Sequence, residues 1–280
     1  MSTPVRRGRT LRSRLLRYIT DATTRLRGAW AILTTAQTAL LNAIASIRPG
    51  PSRGAGVRVR AAVAAFNQAL ASFDRAAGSF AERWAAVDLP LVYREGAWLM
   101  LERADRPTSR FTWTARHRDA ITTASAQYYA DLIGRIREAI RRARAFLRAA
   151  QDAARDSTSA GVDTEALRRD HPLDTVIYAN NSRHPVESWA NAAVTWQAVT
   201  TANTAAARTA FDELGTEWVE ISDGPGCGWR DHQDEDKANR TLRTVQDALA
   251  HPTSHAHCVR ELLPRLDLIG RTEIRTGAPL

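Results

Sequence analysis

The chain has few cysteines, a single lysine and no long apolar run. Two cysteines in 280 residues exclude a disulfide-rich secreted scaffold, because a chain of this length buries a sizeable core without cross-links. No stretch approaches the roughly 20 uncharged apolar residues that a membrane-spanning helix needs. Arginines interrupt the N-terminal stretch where a signal peptide has its apolar centre. We therefore expect a soluble protein without a membrane partner, made in a reducing compartment.

Arginine carries almost all of the positive charge, since Lys237 is the only lysine. The formal net charge is +9 at pH 7, and it is unevenly distributed. Residues 1–60 contain twelve arginines and one acid, Asp21, whereas residues 211–250 contain ten acids and four bases. This asymmetry indicates a basic segment that meets a polyanion or an acidic partner; a solvated helical face is the alternative.

Apolar residues recur at helical spacing in three long segments, 15–47, 59–84 and roughly 119–156. A turn rich in proline and glycine, 48–52, separates the first two, which predicts an antiparallel pair of helices. A shorter helix is predicted at 91–98. The outer face of the third long helix is the candidate surface for a polyanion or partner protein, and its arginines are Arg135, Arg137, Arg141, Arg142, Arg144 and Arg148.

The pattern changes after a polar segment at 158–172, which we interpret as a linker. A helix is predicted at 187–214, and the alternation of residues 216–222 predicts a strand. The predicted fold class is therefore α-rich α+β. An arginine-rich bundle of long helices, 1–157, precedes a small α/β module, 173–280, that carries a cluster of cysteine and histidine residues.

Both cysteines and four of the seven histidines lie between Cys227 and Cys258. Zinc favours four thiolate and imidazole ligands in two close pairs. Cys227 with His232 and His255 with Cys258 supply such pairs, which predicts one structural zinc and no other cofactor. Two alternatives stay open: the cysteines pack as small buried thiols, or they form a disulfide in an extracellular particle.

Catalysis is the third interpretation of this segment. His232, Asn239 and His255 occur in the order of a His-Asn-His nuclease site, and the acids of 231–236 are of the type that binds Mg²⁺. The same acids repel a phosphate substrate in the absence of metal. We therefore expect no enzyme activity and no small-molecule substrate, and keep a metal-dependent nuclease or hydrolase as an alternative.

Specific residue patterns run through the C-terminal 90 residues: Asp-Gly-Pro-Gly-Cys-Gly-Trp at 223–229, Arg-Asp-His at 230–232, the turn 236–239, the helix start 244–249, and Ser-His-Ala-His-Cys at 254–258. Together they resemble the C-terminal module of the Mu F-like minor capsid, or head morphogenesis, proteins of tailed phages, in the form found in actinobacterial phages. The chain has Ala256 and His257 where that family has Pro and Asn.

The resemblance implies a minor head protein that is present in few copies, assembles in the host cytoplasm and resides in the virion. Its implied partners are the portal protein, other capsid components and packaged double-stranded DNA. The resemblance implies no reaction. A stand-alone DNA-binding protein is the alternative that basic helices alone permit.

Overall fold

The computed structural model describes residues 10–46, 53–155, 162–178, 180–223 and 239–271. Contacts between residues group the chain into two compact units, neither of which is one continuous stretch. The first unit comprises Met1–Ala22, Trp84–Tyr128 and Asn191–Leu280, and the second comprises Thr23–Arg83 and Tyr129–Ala190. Each unit contains residues from before and from after the predicted linker. The division into domains 1–157 and 173–280 stays a prediction.

The described residues form seven α-helices: α1 Leu11–Ala45, α2 Arg53–Arg83, α3 Leu89–Arg103, α4 Ala115–Arg155, α5 Thr164–Asp170, α6 Val186–Asp212 and α7 Val245–Ala250. The three long predicted helices are confirmed as α1, α2 and α4, and the predicted helix at 187–214 is confirmed as α6. Helix α3 begins two residues before the predicted helix, where Pro90 is well suited to a first helical turn, and it ends five residues beyond it, at Arg103. Among the described residues, no helix is long and apolar enough to cross a membrane.

Five short strands form two antiparallel sheets: β1 Thr175–Ile177 with β2 Arg183–Pro185, and β3 Trp218–Ser222 between β4 Leu242–Thr244 and β5 Glu261–Pro264. Strand β3 confirms the alternating segment of the sequence. The β1–β2 hairpin and helix α5 were not predicted, and α5 lies within the segment interpreted as a linker. The helix-rich fold with small sheets towards the C-terminus is thus as the sequence predicts.

The apolar positions of 15–47 step by four and three in strict alternation, a heptad pattern that places Ala36 and Ala43 inward. Helix α1 instead follows the period of a straight helix. Its buried side chains include Gln37 and Ile44, whereas Ala36 and Ala43, which the pattern placed inward, are half-buried. A straight α-helix has 3.6 residues per turn, so a 3.5-residue repeat drifts around it by about 20° per heptad. The inward face therefore moves by one position over the length of α1.

The second unit has an aromatic core between antiparallel helices. In α1 and α2, the ring of Trp30 meets that of Phe73 at 4.9 Å, and Trp30 also lies 5.3 Å from Trp189. Phe66 of α2 lies 5.4 Å from Phe146 of α4. Buried aromatic rings of this kind contribute both apolar area and specific edge-to-face contacts, which holds the long helices in register.

The first unit is built around α6, which is buried over most of its length. Its small side chains pack with α3, β3, β5 and α7 in one apolar cluster, whose buried members are Met100, Ala206, Ala207, Ala210, Val219, Ile221, Val245, Ala248 and Leu262. The π-helical turn Trp84–Asp88 before α3 adds a buried polar contact, because Trp84 Nε1 donates to Gln197 Oε1 at 2.7 Å.

The C-terminal sheet is joined to α1 and α3 through one buried carboxylate. Glu261 of β5 accepts a hydrogen bond from the Leu11 backbone amide at 3.0 Å, and its other oxygen accepts one from Arg103 Nε at 2.7 Å. A carboxylate at a helix N-terminus satisfies a free amide and complements the helix dipole. The first turn of α1 is therefore fixed by a residue 250 positions away.

Candidate functional sites: an arginine face and a buried arginine

The six arginines proposed as a polyanion surface lie on two different sides of α4. Arg137, Arg141, Arg144 and Arg148 are exposed, whereas Arg135 and Arg142 are half-buried. The prediction that all six share one outer face is therefore wrong for Arg135 and Arg142. We call the four exposed residues the arginine stripe.

Arg135 and Arg142 hold the β1 segment against α4. Arg142 Nη1 donates to the Pro172 carbonyl at 2.6 Å and Nη2 to the Thr175 carbonyl at 2.7 Å. Arg135 Nη1 donates to the Ile177 carbonyl at 3.2 Å. These three carbonyls lie outside any helix and receive no hydrogen bond from the backbone of any helix that the structure describes. The guanidinium groups of Arg135 and Arg142 donate to them instead, which the sequence alone does not show. Burial lowers the pKa of Arg142 from its ordinary value, and nearby Glu138 opposes that shift.

Acidic side chains of the protein neutralise little of the charge of the arginine stripe. Arg141 forms an ion pair with Glu138. In the part of the chain that the structure describes, Arg137, Arg144 and Arg148 have no acidic partner within ion-pair distance. Their charges are therefore available to an external anion.

The second site is the buried side chain of Arg260, which lies just before β5 and is 1% exposed. Its Nε and Nη2 donate to the two carboxylate oxygens of Asp223, at 2.9 and 3.3 Å. Its Nη1 donates to the His251 carbonyl at 3.0 Å, and Nη2 also lies 3.4 Å from Ser254 Oγ. All three guanidinium nitrogens are thus engaged by groups of the C-terminal segment.

Helix α6 supplies a further contact to this segment. The side-chain amide of Asn203 donates to the Pro252 carbonyl at 2.7 Å and to the Arg260 carbonyl at 2.9 Å. Both acceptors belong to loop residues that have no strand partner there. Asn203 therefore fixes the loop between α7 and β5 onto α6.

The structure describes two of the four predicted zinc ligands, His255 and Cys258. Cys227 and His232 lie outside the described residues. Cys258 is buried, with Sγ 3.3 Å from Ser254 Oγ, and its amide donates to the His255 carbonyl at 3.0 Å. Within the described ranges, no group of three or more cysteine, histidine or acidic side chains is arranged to hold a metal. The four-ligand zinc site stays a prediction.

Sequence reasoning did not identify Arg260 and Asp223 as a pair. Asp223 begins one of the C-terminal patterns and Arg260 follows another by two residues, but they are 37 positions apart and neither burial nor pairing is encoded by local spacing. The available signal was a basic residue next to β5, between Val259 and Glu261. An arginine there must reach an acid or backbone carbonyls once the strand is buried.

A third polar cluster lies in the first unit, where Tyr93 Oη and His117 Nδ1 are 2.8 Å apart. Aromatic rings surround the pair: Trp113 stacks on Tyr93 at 5.5 Å, and Phe111 lies 5.1 Å from His117. Burial lowers the pKa of His117 and raises the pKa of Tyr93. Both groups are therefore neutral at pH 7, which suits a structural hydrogen bond.

Because His117 is buried in its neutral form, we expect the free energy of unfolding of the protein to fall in mild acid. Asp212 and Glu213 raise its pKa, but burial, aided by Arg208, outweighs them and the folded-state pKa lies below the ordinary 6.5. Below pH 6.5 the unfolded chain takes up a proton that the folded chain resists, so stability is complete above that pH and is lost as pH falls. We expect the free energy of unfolding to drop by up to about 1.4 kcal/mol per pH unit from this residue.

The matched variant is His117→Gln, which keeps a hydrogen-bonding side chain but does not titrate. Denaturant unfolding between pH 7.5 and 5 should show a shallower pH dependence for His117→Gln than for the native chain. Identical slopes for the two proteins would contradict a lowered pKa at His117.

Comparison of the chain with family models, with curated proteins and with solved structures finds no match. The function proposed below therefore depends on the C-terminal residue pattern and on the geometry of these sites.

Proposed function

We propose that the chain is a minor capsid protein of a tailed phage, with a structural role in head assembly near the portal and no enzymatic activity. One observation carries this proposal. In the described part of the resembling segment, Arg260 is fully buried and all of its guanidinium nitrogens contact Asp223, the His251 carbonyl or Ser254. Such an arrangement supports a rigid attachment module better than a site that exchanges substrate.

In this proposal the C-terminal module attaches the protein to its partner in the head. The C-terminal module is held by Arg260 and Asn203 and supplies a fixed shape for a portal or other capsid protein. A preorganised surface binds with a smaller loss of conformational entropy than a flexible one. The predicted zinc, if its ligands include Cys258 and His255, would add a further constraint on the same loop.

The experiment is co-expression of the chain with a candidate portal protein, followed by purification of the portal ring. We expect the native chain to elute with the ring and to be present in few copies in purified particles. The variant Asn203→Ala should reduce co-purification several-fold, because it releases the loop at Pro252 without introducing a buried charge.

The matched control is Arg75→Gln with Arg106→Gln, two exposed arginines outside the C-terminal module. This control should elute with the ring like the native chain. A chain that remains free of the ring, is absent from particles and binds duplex DNA would instead be the stand-alone DNA-binding protein. Turnover of a nucleic acid that stops on chelation would establish the metal-dependent nuclease.

A further inference from the structure

We infer that the arginine stripe binds the phosphate backbone of duplex DNA without reading its sequence. The inference rests on the proposed function for the source of the DNA, which is the packaged genome. The binding itself is a property of α4 and is measured on the purified chain.

The spacing of the arginine stripe fits a polyphosphate. Arg137, Arg141, Arg144 and Arg148 recur at intervals of four, three and four residues, which places them on one face of α4. At 1.5 Å per residue they extend over about 16 Å. One strand of duplex DNA presents a phosphate for about every 3.4 Å of helix axis, so roughly five phosphates lie along that length. The arginine stripe is therefore long enough for several of its guanidinium groups to contact phosphates of one duplex.

Three of the four charges of the arginine stripe are available without the loss of an ion pair. Glu138 is the only acid from residue 134 to residue 151, and it pairs with Arg141. Binding of phosphates by Arg137, Arg144 and Arg148 breaks no ion pair in the described structure. Guanidinium groups bind phosphate oxygens in a bidentate manner, which favours Arg over a solvated point charge.

The composition of the face favours DNA over an acidic protein. From residue 130 to residue 155, α4 has no large exposed apolar side chain in a helix that the structure describes throughout. Stable protein interfaces have aromatic or aliphatic residues at their centre. The positions that continue the stripe towards the N-terminus are the small residues Ala130 and Gly134, which allow a close approach of the DNA backbone.

Arginine is the only base-reading side chain of the arginine stripe, and it recognises guanine alone. Asparagine and glutamine, which recognise adenine, do not occur between Gly134 and Arg148. Contacts limited to phosphates fix orientation and carry no sequence information. The expected partner is therefore any duplex, as a protein beside a packaged genome requires.

The test is fluorescence anisotropy of two labelled duplexes of about 20 base pairs and unrelated sequence, titrated with the full chain at several salt concentrations. We expect both duplexes to bind equally. The variant Arg137→Gln with Arg144→Gln and Arg148→Gln should weaken binding by about 10- to 100-fold at low salt. Its slope of log K against log salt should be smaller by about 2.7, since each phosphate contact contributes roughly 0.9.

Two control variants separate the stripe from net charge. Replacing the same three residues by lysine keeps the charge and should keep most of the slope. Arg75→Gln with Arg106→Gln and Arg118→Gln removes three exposed arginines elsewhere and should bind nearly like the native chain. Circular dichroism verifies that each variant remains folded.

The inference is overturned if the native chain fails to bind either duplex at low salt, if the control triple loses as much affinity as the stripe triple, or if one duplex is strongly preferred. Incorporation into particles without DNA binding would leave the proposed function standing and remove this inference. DNA binding through the arginine stripe by a chain that is absent from particles would support this inference and contradict the proposed function.

Discussion

Gly96→Ala is expected to lower the free energy of unfolding by about 3 kcal/mol or more. Gly96 lies in α3 where that helix crosses α6, and a Cβ added there would lie 2.0 Å from the backbone oxygen of Ala202. No rotamer relieves a contact between a Cβ and a main-chain oxygen. The two helices would have to separate, which opens the apolar cluster that α6 forms with the C-terminal sheet.

Gly134→Ala is the matched control, because it makes the same chemical change on the exposed face of a long helix, α4. A Cβ at Gly134 meets nothing within 4 Å. Alanine loses less conformational entropy than glycine in a helix, so this variant should be stabilised by about 0.5–1 kcal/mol. Urea unfolding of the two variants measures the difference directly, and equal stability of the two would mean that α3 and α6 do not cross closely at Gly96.

The long helices were predictable because periodicity is a local property of the sequence. Stripes of apolar residues define α1, α2 and α4 whatever they pack against, and the alternation around Val219 defines β3 in the same way. The close crossing at Gly96 was not predictable. A glycine inside a helical pattern reads as a weak helix former, and only the partner helix shows that a side chain there has no room.

The same limit of prediction from local sequence applies to the candidate sites. The arginines of α4 were identified as a group from their number, although helical spacing alone separates Arg142 from the arginine stripe. What the sequence does not show is its partner, the Pro172 carbonyl thirty residues later. Helix α5 was missed because seven residues with no buried side chain give no apolar period. Its start is nonetheless local, since the Asp163 side chain accepts a hydrogen bond from the Ala166 amide.

The buried pair of Asp223 and Arg260 gives the second large effect. Asp223→Ala is expected to lower the free energy of unfolding by about 3–5 kcal/mol, because it removes the carboxylate that two guanidinium nitrogens contact and leaves the arginine charge inside the protein. The side chains of Asp223 and Arg260 are 3% and 1% exposed, so water does not replace the lost carboxylate.

The pair of Arg265 and Asp267 provides the comparison, since it has the same residue types and two hydrogen bonds of 2.8 Å. This pair lowers the pKa of Asp267, but the Asp267 side chain is 60% exposed and solvent screens the attraction. Asp267→Ala should therefore cost less than about 1 kcal/mol. The contrast isolates burial as the source of the larger effect.

A double-mutant cycle completes the test of the buried pair. The variant Asp223→Ala with Arg260→Met removes both charges and fills much of the space with an apolar side chain, so it should be markedly more stable than Asp223→Ala alone. A coupling free energy of about 2 kcal/mol or more is expected from urea unfolding of the native chain, both single variants and the double variant. Additive losses would mean that Arg260 is held by the His251 carbonyl and Ser254 rather than by Asp223. The rigid C-terminal module would then not depend on the ion pair.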